Sequence, residues 1–345
     1  MKHSVVIGGA GFVGSWVVDE ILKDSNARVT IIDNLISSEK WNISTDPRVN
    51  FIEGSASDIN VLKSIQDKVD YVYQLACFHG NQSSIARPFD DLENGLKTTL
   101  VTLEWVKTYN PQARVIYSGA GCAVAEKTWD EPTAVEEKES TSLLHDSPYS
   151  ISKIASEMYC LYYAKQQNLD VVRVRFQNVY GPREILGAGT WRGTIDSIWR
   201  NVIPTFIWKS LNNEAITIFG TAYSSRDFVY VGDLANGVIL AAKFGKQGHV
   251  YNLARGEEVF IADLAQQIIA ITNSKSSLIY KPKRKWDTSG RRFGSTKKSL
   301  DELNFLARTD LTSGLNSTVQ WTQKNNKLIS NSILRQSLNL KNPLF

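Results

Sequence analysis

An α/β fold, a doubly wound parallel sheet with a smaller C-terminal α/β lobe, is predicted by three observations. Short β-branched runs alternate with stretches of helical periodicity through the first half of the chain. A glycine-rich turn joins the first of those runs to the first helix. At 345 residues, 42% hydrophobic and 21% charged, the chain exceeds one average domain and has ample apolar material for a core.

In chain order, Ser4–Ile7 reads as a strand and Phe12–Leu22 as a helix, followed by strands at Arg28–Ile32, Asn50–Ile52 and Tyr71–Leu75. A helix over Leu92–Thr108 precedes strands at Arg114–Tyr117 and Val171–Phe176. Parallel strands in this order require right-handed crossovers, so residues 1–180 are read as one domain. Past Pro182 the glycine-rich stretch Arg183–Gly193 reads as a substrate loop, since loops on a rigid scaffold carry specificity. Ala215–Phe219, Asp227–Val231 and Val250–Leu253 are strand-like, and Val231–Lys243 and Ile261–Thr272 are helical. These place a smaller lobe at 181–321, with segments such as 226–253 contributing to the first domain. Residues 322–345 are set apart as a tail: Lys324–Phe345 is polar and is expected to dock on the surface or lie loose.

The formal charge is +4, from 39 basic and 35 acidic side chains, so no broad field for nucleic acid is implied. A local cluster, Lys281, Lys283, Arg284, Lys285, Arg291 and Arg292, suits a diphosphate or a merely solvated face. Cys77, Cys122 and Cys160 form neither a CxxC pair nor an even framework, which argues against disulfides and a metal site and for a reducing compartment. No long apolar run suggests a leader or a membrane span, and a cytoplasmic location is expected.

Gly8-Gly9-Ala10-Gly11-Phe12-Val13-Gly14 follows an apolar strand and opens a helix. Such glycines permit a tight turn and let backbone N–H groups approach a pyrophosphate at the positive end of the helix. The second strand ends in Asp33, near the spacing at which an acidic residue grips ribose hydroxyls and repels a 2′-phosphate, so NAD is expected over NADP. Asp58, beside Ile59, is placed to meet the adenine or to cap the next helix.

Tyr149 and Lys153, at i and i+4, share a helical face. A phenol near pKa 10 is a poor base at neutral pH, but an adjacent ammonium and a cationic nicotinamide favour phenolate. Such a tyrosine can take a proton from a sugar hydroxyl while hydride leaves for the cofactor.

With these motifs the chain resembles the extended short-chain dehydrogenase/reductases, the nucleotide-sugar epimerase and dehydratase family. The resemblance rests on Gly8–Gly14, Asp33-Asn34, Leu75-Ala76-Cys77, Tyr149 to Lys153, Asn178-Val179-Tyr180-Gly181-Pro182 and Arg226-Asp227-Phe228-Val229-Tyr230-Val231, over residues 1 to about 321. It implies a Rossmann-type NAD domain, transient oxidation of the sugar, a C-terminal lobe for the nucleotide diphosphate and a homodimer formed through the helix that bears Tyr149. Asn178, Arg226 and Arg291 or Arg292 then fall where that family binds substrate, and bidentate guanidinium contacts suit a diphosphate.

Departures bear on the reaction. Ala120 stands where the family's catalytic Ser or Thr is expected, leaving Ser118 as a substitute or Tyr149 alone. Cys122 matches an acid/base cysteine of GDP-mannose 3,5-epimerases and GDP-fucose synthases, or is a buried small hydrophobe. Thr190-Trp191-Arg192-Gly193 is similar to a 3,5-epimerase stretch with lysine at the third position; Arg192 can hold an oxyanion or phosphate but is a poor proton donor. His79 sits in a loop that faces the sugar in this family, or is structural. Cys122-Ala123-Val124 replace the Asp-Glu pair of the dehydratases. The sequence therefore favours an epimerase acting through a 4-keto sugar, at C4 or through Cys122 at C3/C5. The alternatives are a 4-keto reductase or dehydratase and, from another class, a non-catalytic NAD-binding protein.

Overall fold

The structure, a computed structural model, describes residues 1–78, 80–124, 128–138, 145–185, 201–285, 287 and 290–340, without the side chains of 122, 124 and 335–340. The chain opens with β1 (Lys2–Ile7), α1 (Phe12–Leu22), β2 (Ala27–Asp33), β3 (Val49–Glu53), α2 (Ile59–Lys63) and β4 (Tyr71–Gln74). Next come α3 (Asn81–Ala86), α4 (Pro88–Asp91), a π-helical segment at Leu92–Lys97, α5 (Thr98–Tyr109) and β5 (Arg114–Ala120). After α6 (Gly121–Val124) and α7 (Pro148–Gln166) come β6 (Val171–Phe176), β7 (Asn178–Tyr180), α8 (Val202–Leu211), β8 (Ile216–Phe219), β9 (Ser225–Arg226) and β10 (Phe228–Tyr230). The remainder is α9 (Val231–Phe244), β11 (Val250–Leu253), β12 (Val259–Phe260), α10 (Ile261–Thr272), β13 (Leu278–Lys281), α11 (Lys297–Leu303), α12 (Leu311–Lys324) and α13 (Asn326–Leu340).

Seven strands form one parallel sheet in the order β11-β6-β5-β4-β1-β2-β3. The direction of winding reverses between β1 and β4, and the carboxyl ends of the strands beside such a reversal form the crevice where ligands bind open α/β sheets. Alternate side chains of each strand go to opposite faces. Val6, Val29, Ile31 and Ile116 pack against α1 and α9, whereas Val5, Ile32, Val115 and Tyr117 pack against α2, α5 and α7. Burying each large aliphatic chain contributes about 1.5–3 kcal/mol. A third core, with Phe206, Ile207, Ile218, Leu264, Ile268 and Leu315, ties α8, α10 and α12 to β8.

One expectation is corrected, and of the two given for the tail the docked one is met up to residue 334. The stretch Leu92–Thr108 is not one α-helix, because it opens with π-helical turns at Leu92–Lys97, whose extra residue per turn the apolar spacing does not reveal. The polar tail is helical: Ile329 is buried, recurs with Ile333 at helical spacing, and packs against Ile185, Trp208 and Trp321. Ser332 also donates to Glu39 at 3.0 Å. Among the described residues no helix is long and apolar enough to cross a membrane.

Candidate active site

The Gly8–Gly14 turn is set by steric necessity. Gly8 adopts φ +83° with its amide donating to Ile32 O at 2.8 Å, and a Cβ on Gly14 would stand 2.0 Å from Gly8 O. Helix α1 then begins at Phe12 with no side-chain cap and no acidic residue in its first turn, so its N-terminal amides remain available to an anion. Asp33 ends β2 and is buried; its carboxylate accepts from Ser38 Oγ at 2.6 Å, Leu35 N at 2.9 Å and Ala10 N at 3.1 Å. Burial pushes the Asp33 carboxyl above its usual range, against those hydrogen bonds.

A cavity of about 350 Å³ runs from this turn along the carboxyl ends of β1, β4, β5 and β6. Gly8, Gly11, Phe12, Val13, Gly14, Asp33, Asn34, Leu75 and Ala76 line one end, and Tyr149 and Lys153 lie in its wall. Helix α7, which carries that pair, starts with Ser147 accepting from Ser150 N and Pro148 in its first turn. Its inner face is pinned by Ser152 Oγ donating to Asp91 at 2.6 Å and by a buried ion pair of Glu157 with Arg175 at 2.8 Å. Lys153 Nζ donates to Ser118 O at 2.7 Å and lies 5.9 Å from the centre of the Tyr149 ring. The side chains meant to act together thus meet at the end of β5. Ser118 also lines the cavity, but its hydroxyl donates across the sheet to Gln74 O at 3.1 Å. Ala120 is buried against Tyr149, Ala123 and Ile154.

At the other end Asn178, Arg226 and Arg292 line the cavity, joined by Gln177, Arg284 and Asp287. Arg291 and Arg292 separate as neighbours in extended chain must. Arg291 is held by Glu258 at 2.7 and 2.8 Å and stacks 5.2 Å from Phe260, so it is not a lining residue. Arg292 turns inward, only 7% exposed, and its Nε has no protein partner among the described residues. Of the basic cluster, only Arg284 and Arg292 reach the cavity. Asp227 fastens this end: its carboxylate accepts from Gly256 N at 2.9 Å and from Arg255 N and Gly294 N at 3.0 Å. Burial pushes the Asp227 carboxyl up to about 6 despite those donors.

Asp58 and Ile59 do not line the cavity; Asp58 is exposed and caps α2 by accepting from Asn60 N at 2.9 Å. Cys122 falls on α6 with its side chain outside the described residues, and His79 and Arg192 lie outside them altogether. Gln177, Asn81 and Gln82 line the cavity although no sequence motif singles them out.

Sheet, glycine turn and Tyr149–Lys153 pair together define a dinucleotide-dependent enzyme. The chain belongs to the NAD dependent epimerase/dehydratase family, whose model matches residues 4–254. It is similar to the Bordetella bronchiseptica enzyme WbmF, whose crystal structure with NAD+ and UDP is 45% identical, with a TM-score of 0.86 over 97% of this chain and 96% of that one. It is 31% identical to the UDP-N-acetylglucosamine 4-epimerase from Methanobrevibacter ruminantium M1 in complex with UDP-N-acetylmuramic acid, with a TM-score of 0.82 over 94% and 99% of the two chains. A dTDP-glucose 4,6-dehydratase of an Actinoplanes strain is 27% identical across 93% of this chain and 98% of its own. The cofactor of this family is NAD, and the residues present fit it. The glycines leave the turn open to a diphosphate, and Asn42, a lining residue, keeps a buried Oδ1 without a protein partner among the described residues.

Proposed function

We propose that this chain is a nucleotide-sugar epimerase that works through a transient 4-keto sugar, inverting C4 or, through Cys122, C3 and C5. The observation that carries the reading is one cavity that joins the Tyr149–Lys153 pair to an inward-turned, buried Arg292. Gly8, Gly11, Phe12, Val13, Gly14, Asp33 and Asn34 would hold NAD, which when bound accepts and returns hydride. Tyr149 takes the proton of the sugar hydroxyl and gives it back on the same side chain, and the Lys153 ammonium favours its phenolate. Arg226 and Arg292 hold the diphosphate by charge-assisted hydrogen bonds, and Asn178 orients the sugar. Gly121, Cys122, Ala123 and Val124, which follow Ala120, include no carboxylic acid to protonate a departing hydroxyl, which weighs against the dehydratase reading. We infer a cytoplasmic homodimer; Ile151, Met158, Tyr159 and Tyr162 leave an exposed apolar face on α7 that supports the second half of this inference.

Incubation with uridine, guanosine, thymidine and cytidine diphosphosugars in deuterated water tests the proposal. An epimer should form without net NADH, with solvent label at C3 or C5 only if Cys122 takes part. Tyr149→Phe should lower turnover by about 10³-fold while NAD stays bound. No change in any sugar, or full activity in that variant, would contradict the reading.

A further inference from the structure

Among the described residues, the end of β5 itself offers the cavity no free polar side chain beside the Tyr149–Lys153 pair. Ala120 offers only a methyl, buried against Tyr149, and the Ser118 hydroxyl proton is taken by Gln74 O. The side chain that reaches this place comes from the neighbouring strand. Ala120 pairs with Phe176 in the β5–β6 register, so Gln177 leaves β6 level with Gly121. Its carboxamide enters a notch cut by two glycines. A Cβ on Gly121 would lie 2.2 Å from Gln177 Nε2, and a Cβ on Gly294 would lie 2.9 Å from the same atom. Gly294 is in turn fixed by its amide on Asp227. Gln177 is only 9% exposed, lines the cavity with Tyr149, Lys153, Asn178 and Arg292, and its carboxamide makes no hydrogen bond to another described residue. The carboxamide atoms are open to the cavity and not sealed in protein, so they are free to meet something that enters it.

We propose that Gln177 is a sugar-binding residue, its carboxamide supplying at the reacting edge of the sugar the polar contact that residue 120 does not. The inference rests on the nucleotide-sugar reading above. A carboxamide presents a donor and an acceptor side by side, so it can hold a group that carries both, such as a ring hydroxyl or an acylamino substituent. It touches the sugar and not the nucleotide, which separates it from Arg226 and Arg292.

Calorimetry on the NAD-loaded protein tests this, with UDP against UDP-N-acetylglucosamine and GDP against GDP-mannose. Gln177→Ala should leave the better nucleoside diphosphate binding within about twofold and weaken the matching sugar nucleotide about ten- to a hundredfold, the loss of a buried hydrogen-bond partner. Gly121→Ala, which drives the far end of Gln177 out of its notch, should do the same while keeping the amide. Wild-type affinity for the sugar nucleotide in both variants overturns the proposal, as does an equal loss for nucleotide and sugar nucleotide. If the unaltered protein takes up no nucleotide or sugar nucleotide of uridine, guanosine, thymidine or cytidine, the nucleotide-sugar reading falls and this one with it.

Discussion

At the cofactor end of the cleft, seven consecutive residues, Gly8–Gly14, form the turn, and Asp33 joins them from the strand hydrogen-bonded alongside. At the substrate end, Gln177, Arg226, Arg284 and Arg292 come from four separate segments, three of them after β7, and the buried carboxylate of Asp227 ties the backbone beside Arg226 to Arg255-Gly256 and to Gly294. At the first end Gly8 and Gly14 are fixed by backbone atoms, those of Ala76 and of the turn itself, which a Cβ would strike. The second is a set of loops held by scattered contacts outside the main sheet, those of Asp227 among them, so side chains there can change without disturbing the sheet. That division fits a scaffold that keeps one cofactor and varies its substrate.

The largest effect is expected where backbone meets backbone. Gly14→Ala pushes a methyl into Gly8 O, and the turn cannot yield without losing its hydrogen bonds. A loss of about 3 kcal/mol in stability and of most bound NAD is expected, read by thermal melting and by the nucleotide released on denaturation. Retention of NAD with an unchanged melting point would mean that the first end is as adaptable as the second. At the second end, Arg292→Ala should weaken nucleoside diphosphate binding about ten- to a hundredfold, whereas Arg291→Ala, which breaks the ion pair with Glu258 and the stacking on Phe260 outside the cavity, should change it by less than about threefold. Equal losses in the two variants would contradict the inward and outward assignment of these neighbours.

A further effect, read through pH, concerns Asp227. Asp227 titrates near 6 in the fold and near 4 in an unfolded chain, so between those values the native state holds the extra proton. Raising the pH from about 4 to 6 therefore removes stability through this group, and above 6 its contribution is constant. The melting temperature of the wild type minus that of Asp227→Asn should fall over that interval and then level off. A difference that rises with pH would show the carboxylate to be favoured by the fold.

The same contrast decides how much the amino-acid sequence reveals. Gly8–Gly14, Asp33 and the Tyr149–Lys153 spacing are local patterns imposed by turn and helix geometry, and the chain places them together on one cavity wall. Strand Val171–Phe176 and helices Phe12–Leu22 and Ile261–Thr272 coincide with their apolar periodicity, because burial enforces it. Gln177 carries no such pattern; its place in the site arises only when β5, β6 and the loop at Gly294 meet. Asp58 shows the converse, since helix capping and ligand binding ask for the same residue type and only the fold separates them. Arg291 and Arg292 are alike in composition and differ only in which way an extended backbone turns them.

The most direct test is to supply a UDP-sugar carrying deuterium at C4 and to follow that label into the product by NMR. If hydrogen is removed from and returned to C4 with Tyr149 as the base, an epimer forms with the deuterium still at C4 and with no net change in NAD. Loss of the C4 label to solvent, or recovery unaltered of the UDP-sugar and of its guanosine, thymidine and cytidine counterparts after prolonged incubation with the NAD-loaded protein, would contradict the account.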